Sequence, residues 1–119
     1  MKKIAVALLA ISIPAMAADA KLTGDWKMVS DIAGTTRTST CKFTQDGDKV
    51  EGVCKREDHT TNLVGTITDK SVHMTAKSDY EGTPIDLTYG AKFTDDKTIE
   101  GTVDVQPMDV QGTFTLTKQ

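Results

Sequence analysis

The side chains that could do chemistry in this sequence are two cysteines, two histidines and a few paired acids. Cys41 and Cys54 lie in two strand-like runs on either side of Gly47-Asp48. We interpret Gly47-Asp48 as a two-residue turn with glycine at its first position, which fixes the pairing of the flanking strands. The pairs that follow are Gln45 with Val50, Phe43 with Gly52, and Cys41 with Cys54. The cysteines meet at a non-hydrogen-bonded site, where side chains approach closely, so we predict a disulfide between them.

Neither catalysis nor a metal site is expected from the remaining polar residues. A nucleophile needs a base within reach and a third group to orient that base. His73 is predicted on an outward strand face beside threonines, and His59 in a loop. Asp95-Asp96 is typical of a turn, and Asp46 with Asp48 belongs to a tight hairpin that lacks the other oxygen ligands of a calcium loop. We therefore predict no catalytic residues, no metal ligands and no cofactor.

The first 17 residues resemble an export signal rather than part of the fold. Lys2-Lys3 forms a basic segment, residues 4–13 are apolar, and Ala15-Met16-Ala17 has the small-x-small pattern of a cleavage site. The apolar stretch is too short to span a membrane as a mature helix. We predict a signal peptide over residues 1–17 and one exported domain over residues 18–119, in the periplasm or outside the cell.

The charge of the mature chain argues against nucleic acid as a partner. Without Lys2 and Lys3, 12 basic residues stand against 17 acidic ones, a net charge of −5. An acidic domain with no cluster of Lys or Arg binds nucleic acid poorly. An oxidising compartment favours one disulfide between the two cysteines over a metal site.

Alternating apolar and polar residues predict eight short antiparallel strands and no helix in residues 18–119. The first strand is expected around Leu22 to Ser30, followed by a loop over residues 31–35, and a longer connection is expected over residues 79–84. Three further hairpins give these pairs: Ile67 with Val72, Gly65 with Met74, Leu63 with Ala76, Phe93 with Ile99, Ala91 with Gly101, Tyr89 with Val103, Val105 with Val110, Gly101 with Phe114, and Ile99 with Leu116. Hairpins between neighbouring strands throughout favour an up-and-down β-barrel over a sandwich. The outward face carries too many charges for an outer-membrane barrel.

The opening of the first strand resembles that of the calycin group, which comprises lipocalins, fatty-acid-binding proteins and avidin-like barrels. Gly24-x-Trp26 begins the strand, and Lys118 ends the last one. The resemblance implies that Trp26 closes one end of the barrel beneath the Lys118 side chain. Across residues 18–119 the chain is similar to small exported bacterial lipocalin-like domains, which share the Asp-Gly hairpin and the Gly112-Thr113-Phe114 ending.

Binding of a small apolar ligand inside the barrel is the function that we expect. An eight-stranded barrel can be filled by side chains or can hold one small ligand. The predicted ligand-binding residues point inward: Trp26, Met28, Phe43, Leu63, Met74, Leu87, Tyr89, Phe93 and Val103. No buried charge is expected to anchor a carboxylate or phosphate, so the ligand would be apolar and oriented by the Tyr89 hydroxyl.

Two alternatives stay open at this stage. In the first, the core is filled and the barrel is a structural or interaction module. In the second, the barrel binds a protein, as exported bacterial metalloprotease inhibitors do. Those inhibitors also begin Leu-x-Gly-x-Trp, here Leu22 to Trp26, and carry one disulfide. The resemblance implies that residues 18–23 would enter the protease cleft.

Overall fold

The computed structural model describes residues 21–119, and these form eight antiparallel β-strands joined by short turns. The strands are β1 (Gly24–Ile32), β2 (Thr35–Asp46), β3 (Lys49–Arg56), β4 (His59–Thr68), β5 (Ser71–Tyr80), β6 (Thr83–Asp95), β7 (Thr98–Gln106) and β8 (Val110–Lys118). Each strand pairs with the next, and β8 returns to pair with β1, so the sheet closes into a barrel. No helix occurs within these residues. The predicted all-β up-and-down barrel is confirmed.

The residue pairs predicted for four hairpins, β2–β3, β4–β5, β6–β7 and β7–β8, are also confirmed. Phe43 lies opposite Gly52, and Cys41 lies opposite Cys54. The two cysteines form the predicted disulfide, with 4.0 Å between their Cα atoms. The other predicted pairs all occur in the ladders of β4 with β5, β6 with β7, and β7 with β8. Because a register slip of one residue would turn every side chain to the other face, these pairs fix which residues point inward.

Two connections are shorter than the sequence predicted. The loop expected over residues 31–35 is a two-residue turn at Ala33-Gly34, since β1 continues to Ile32 and β2 begins at Thr35. Likewise β5 continues to Tyr80, and only Glu81-Gly82 separates it from β6. Both glycines have positive φ, 82° at Gly34 and 83° at Gly82, which suits them to tight turns. The extra strand length extends the barrel wall at the end where these turns lie.

The core is a single apolar cluster inside the barrel. Its buried members are Leu22, Trp26, Met28, Cys41, Phe43, Val50, Cys54, Leu63, Ile67, Val72, Met74, Ala76, Leu87, Tyr89, Ile99, Val103, Val105, Phe114 and Leu116. Among residues 21–119 no charged side chain is fully buried. Gly52 is one point where the interior needs a missing side chain, because a Cβ there would collide with the ring of Phe43. Phe43 thus takes the interior space that Gly52 leaves free.

The predicted signal peptide, residues 1–17, lies outside the described residues. Within the described part of the chain, no helix is long and apolar enough to cross a membrane.

Candidate functional site

The two ends of the barrel differ in construction. Four chain segments meet at the first end: the residues before β1 and the turns β2–β3, β4–β5 and β6–β7. We call it the plugged end, defined by Leu22, Trp26, Gln45, Phe93 and Lys118. The turns β1–β2, β3–β4, β5–β6 and β7–β8 surround the second end. We call the space at this end the cup, and its residues are given below.

Leu22 and Trp26 close the plugged end. Both side chains have a relative exposure of 0%. The Trp26 indole Nε1 donates a hydrogen bond of 2.8 Å to the Leu22 carbonyl oxygen, so the tryptophan holds the segment that precedes its own strand. Phe93 contacts the indole edge-on, with 6.2 Å between the ring centroids. The arrangement satisfies the indole N–H within an apolar contact, which is what a buried tryptophan requires.

Polar contacts tie the N-terminal segment across the same end. The Leu22 backbone N–H donates to Gln45 Oε1 at 2.7 Å, and the Gln45 N–H donates to Thr23 Oγ1 at 2.9 Å. Lys118 Nζ lies 5.6 Å from the centroid of the Trp26 ring and 3.3 Å from the Thr23 carbonyl oxygen. The contact between Trp26 and Lys118 implied by the calycin resemblance is therefore present.

The cup is lined by inward residues that are mostly small or polar. On each strand they continue the inward alternation toward the second end, and all of them are half-buried rather than buried. They are Ser30 and Ile32 on β1, Arg37 and Ser39 on β2, Arg56 on β3, Thr61 on β4, Ser78 on β5, Ile85 on β6 and Val110 on β8. Because these inward side chains keep exposed surface, solvent reaches the lining at this end.

The floor of the cup is apolar. Met28, Cys54, Ala76, Leu87 and Val105 lie next to the lining residues on their strands, and each keeps between 5% and 9% of its surface exposed. Leu22, Trp26 and Phe43, nearer the plugged end, keep at most 1%, although Phe93 at that end is half-buried. The floor residues are therefore slightly more accessible than these three side chains.

Two arginines point into the cup from neighbouring strands. Arg37 is on β2 and Arg56 ends β3, and both occupy inward positions. The Arg37 guanidinium lies 6.0 Å from the centroid of the Tyr80 ring. Because Tyr80 belongs to β5, which does not adjoin β2, the Arg37 side chain reaches across the mouth. Within residues 21–119, neither guanidinium forms an ion pair or a hydrogen bond.

Tyr89 lies one inward position below Leu87 on β6, at the depth of the cup floor. Its side chain is 7% exposed, whereas its cross-strand neighbours Met74 and Val103 are 0% exposed. Its ring contacts Phe114 edge-on at 5.1 Å. Burial raises the pKa of the Tyr89 hydroxyl to about 12. No group among residues 21–119 forms a hydrogen bond with this hydroxyl, although a buried hydroxyl normally has a partner.

The structure separates the nine predicted ligand-binding residues into two groups. Eight are buried in the core, and Phe93 is half-buried and packs against Trp26 at the plugged end. Only Met28, Leu87 and Tyr89 belong to the floor of the cup. The other members lie deeper or at the plugged end: Trp26, Phe43, Leu63, Met74, Phe93 and Val103.

No charged side chain among residues 21–119 is fully buried, but two half-buried arginines occupy inward positions that were not anticipated from the sequence. Arg37 and Arg56 continue the inward alternation of β2 and β3, in register with Cys41 and Cys54. The sequence signal was present, since counting back in twos from each cysteine reaches an arginine. The alternation was not extended as far as these two positions.

Concave regions also occur on the outer surface. One of about 610 Å³ lies over β2, β3 and β4, beside the exposed side chains Val53 and Val64. Another of about 530 Å³ lies over β4, β5 and β6. Among residues 21–119 no group of three or more His, Cys, Asp or Glu side chains could hold a metal ion.

Comparison with known proteins identifies the fold. No family model and no curated protein matches the sequence. Among solved structures, the chain is similar to a redesigned beta barrel, mFAP1, bound to DFHBI, with a TM-score of 0.69, 17% identity, and coverage of 82% of this chain and 94% of that one. It is also similar to the redesigned beta barrel b11L5F_LGL, with a TM-score of 0.64, 14% identity, and coverage of 82% and 91%.

A third similar structure is EF1p2_mFAP2b bound to DFHBI, with a TM-score of 0.64, 13% identity, and coverage of 82% of this chain and 94% of that one. At these identities the likeness shows a shared eight-stranded antiparallel barrel.

Proposed function

We propose that the protein is an exported, non-catalytic barrel of the calycin type that binds a small, largely apolar ligand in the cup. The observation that carries this proposal is the contrast between the ends. One end is sealed by large side chains, whereas the other leaves an accessible, mostly small-residue lining above an apolar floor. Ligand pockets typically combine apolar walls with a few polar groups that orient the ligand.

The floor supplies the apolar surface and one orienting group. Met28 and Leu87 give aliphatic contacts, and Tyr89 gives a hydroxyl that has no hydrogen-bond partner among residues 21–119. A ligand that accepts a hydrogen bond from this hydroxyl would remove the cost of leaving it unpaired. Two barrels of similar fold are bound to DFHBI, which supports the idea that such a barrel can accommodate a small molecule.

The proposal that the protein is not an enzyme rests on its two histidines. His73 is exposed on the outer face of β5, whereas His59, which pairs with Arg56, is exposed at an inward position on the rim of the cup, so the two histidines lie on different strands and different faces. Neither forms an ion pair or hydrogen bond with another described residue. Nucleophilic catalysis requires a base and a group that orients this base. Neither histidine has such an orienting group among residues 21–119.

Export is supported by the disulfide, because such bridges persist in oxidising compartments. The bridge between Cys41 and Cys54 joins two neighbouring strands at the barrel wall. The basic and apolar character of residues 1–17 supports the same proposal from the sequence.

The protease-inhibitor alternative is less well supported. It needs the segment before β1 to enter a protease cleft. Leu22 is instead buried, and Leu22 and Thr23 are both hydrogen-bonded to Gln45. Insertion of this segment into a cleft would require these contacts to break and the plugged end to open.

The experiment that tests ligand binding is a titration of the purified protein with N-phenyl-1-naphthylamine, an uncharged apolar fluorophore. We expect saturable binding with one probe per barrel. Ser39→Phe places a large side chain in the cup and should weaken binding by about tenfold or more, which corresponds to roughly 1.4 kcal/mol. Thr40→Phe is the matched control, because Thr40 is the exposed outward neighbour on the same strand.

The results separate the alternatives. If the probe does not bind, the cup is not a ligand site and the filled-core interpretation replaces the proposal. If Thr40→Phe weakens binding as much as Ser39→Phe does, the probe binds on the outer face of β2 instead. Thermal unfolding of both variants would confirm that the barrel remains folded.

A further inference from the structure

We infer that the cup selects ligands with an anionic head group, and that Arg37 and Arg56 hold a carboxylate whose apolar tail points to the floor. This inference rests on the proposed function, since it names the class of ligand that the same site would take. It departs from the sequence-based expectation of an uncharged apolar ligand.

The placement of the arginines is the first argument. The sequence contains 14 basic residues, of which only Arg37 and Arg56 are arginines. Both point inward, and both lie at the same end on adjacent strands. The described lysines are instead exposed, with Lys118 at the plugged end as the half-buried exception. Arginine presents a planar set of donors that matches a carboxylate. The position of both arginines in the cup therefore favours a carboxylate as the ligand group there.

The second argument is that both guanidiniums remain available to bind an anionic ligand. Acidic residues lie in the turns around this end: Glu57 and Asp58 between β3 and β4, Glu81 between β5 and β6, and Asp109 between β7 and β8. None of them forms an ion pair with Arg37 or Arg56. The Arg37 guanidinium lies over the face of the Tyr80 ring, and a cation above an aromatic face can still bind an anion through its N–H groups.

The third argument is the gradient of polarity along the barrel axis. The guanidiniums share the cup wall with the hydroxyl groups of Ser30, Ser39 and Ser78, which can donate further hydrogen bonds. The floor of the cup, below them, is formed by Met28, Leu87 and their neighbours. A ligand that is charged at one end and apolar at the other matches this order, with its head in the wetter part of the cup.

The partial exposure of the arginines suits reversible binding. Because both side chains are half-buried, their charges keep part of their hydration in the empty barrel, and no buried charge is left unpaired. When an anion binds, charge-assisted hydrogen bonds replace that hydration. Such bonds are stronger than neutral ones, so a carboxylate should bind more tightly than an alcohol with the same tail.

The test compares two displacing ligands with the same ten-carbon tail, decanoate and decanol, both below the concentrations at which they aggregate. Each is titrated against protein loaded with N-phenyl-1-naphthylamine. We expect decanoate to displace the probe at an approximately tenfold or more lower concentration than decanol. In Arg37→Gln/Arg56→Gln this preference should disappear, so that decanoate and decanol displace the probe at about the same concentration, because the guanidiniums that favour the carboxylate are removed.

Lys42→Gln/Lys55→Gln is the matched control. It removes the same charge from the same two strands, but both lysines are exposed on the outer face. The preference for decanoate should survive in this variant. If it is lost there too, the effect comes from net charge rather than from the cup, and the inference is overturned.

Other outcomes distinguish this inference from the proposed function. Equal displacement by decanoate and decanol in the wild type would leave ligand binding intact and overturn the anion site. Failure of the neutral probe and of both displacing ligands to bind, checked by calorimetry, would overturn the two proposals together. Binding of decanoate alone would support the anion site and contradict a cup for uncharged ligands.

Discussion

The two ends of this barrel show how one strand pattern can serve two purposes. At the plugged end, inward positions hold large apolar side chains such as Trp26 and Phe93, and Leu22 fills the opening from outside the strands. At the cup, inward positions of the same strands hold Ser39, Thr61 and the two arginines. The alternation of inward and outward residues is unchanged. The difference lies in side-chain size and polarity, so stability and accessible chemistry are concentrated at opposite ends.

A second difference is the chain segment that covers the barrel. Leu22 and Thr23 cross the plugged end and are held there by hydrogen bonds to Gln45. Within residues 21–119, the cup is surrounded by short turns, two of which contain a glycine with positive φ, Gly34 and Gly82. Short turns keep the strands paired to their ends but do not reach over the opening. The comparison therefore predicts that substitutions at the plugged end lower stability, whereas those in the cup change binding.

Trp26→Ala should have the largest effect on stability. The substitution removes a fully buried indole, its hydrogen bond to the Leu22 carbonyl and its contact with Phe93. Truncation of a large buried side chain typically costs about 3–5 kcal/mol, including the cavity that remains. We expect a loss of this size in the free energy of unfolding, measured by denaturant titration.

Lys27→Ala is the matched control for this substitution, since Lys27 is the exposed neighbour on β1. Its effect should stay within about 0.5 kcal/mol. A loss below 1 kcal/mol for Trp26→Ala would mean that the plugged end does not stabilise the barrel, and the contrast between the ends would fail.

Tyr89→Phe tests the boundary between the cup and the core through its pH dependence. Burial raises the pKa of Tyr89 from the ordinary 10.0 to about 12 in the folded protein. Between these values the unfolded state releases the proton and the folded state retains it, so folding stability falls as pH rises above 10. At 1.36 kcal/mol per pKa unit, the wild type should lose roughly 2–3 kcal/mol relative to Tyr89→Phe by pH 12.

The stability difference between the wild type and Tyr89→Phe should be flat below pH 10. At neutral pH the variant should match or slightly exceed the wild type, because it removes a buried hydroxyl that forms no hydrogen bond with the described part of the chain. Tyr80→Phe, at a tyrosine that is 42% exposed, serves as the control. A large loss at neutral pH in Tyr89→Phe alone would show that the hydroxyl has a partner inside the barrel.

The fold could be predicted from the sequence because its local signals agree. The Gly47-Asp48 turn fixes the register of β2 and β3, and the cysteine pair supports the same register independently. Two-residue turns leave little freedom for slippage, and strict alternation then assigns each residue to a face. This is why the predicted pairs, including Ile67 with Val72, are all present in the structure.

The cup could be predicted only in part, because alternation gives the face of a residue but not its depth. Met28 and Phe43 both point inward, yet only Met28 belongs to the floor, since strand tilt and pairing around the whole barrel set that depth. Arg37 and Arg56 were missed because they lie near strand ends, where the assignment of strand and loop is least certain. Leu22 was predicted within the first strand, but it precedes β1 and folds back over the opening.

Lys118→Met should have the smallest effect and would sharpen the description of the plugged end. Lys118 Nζ lies 5.6 Å from the Trp26 ring centroid, and its aliphatic chain is half-buried beside it. Methionine keeps an apolar chain of similar reach but removes the charge, so the variant isolates the cation–π contact and the hydrogen bond to the Thr23 carbonyl. At a partly exposed site this contact contributes about 0.5–1 kcal/mol, and denaturant unfolding should show a loss of that size.

Lys92→Met, at an exposed position on β6, removes the same charge without this contact and should change stability by less. Equal effects of the two substitutions would assign the closure of the plugged end to apolar packing alone, with Trp26 and Leu22 sufficient to seal it.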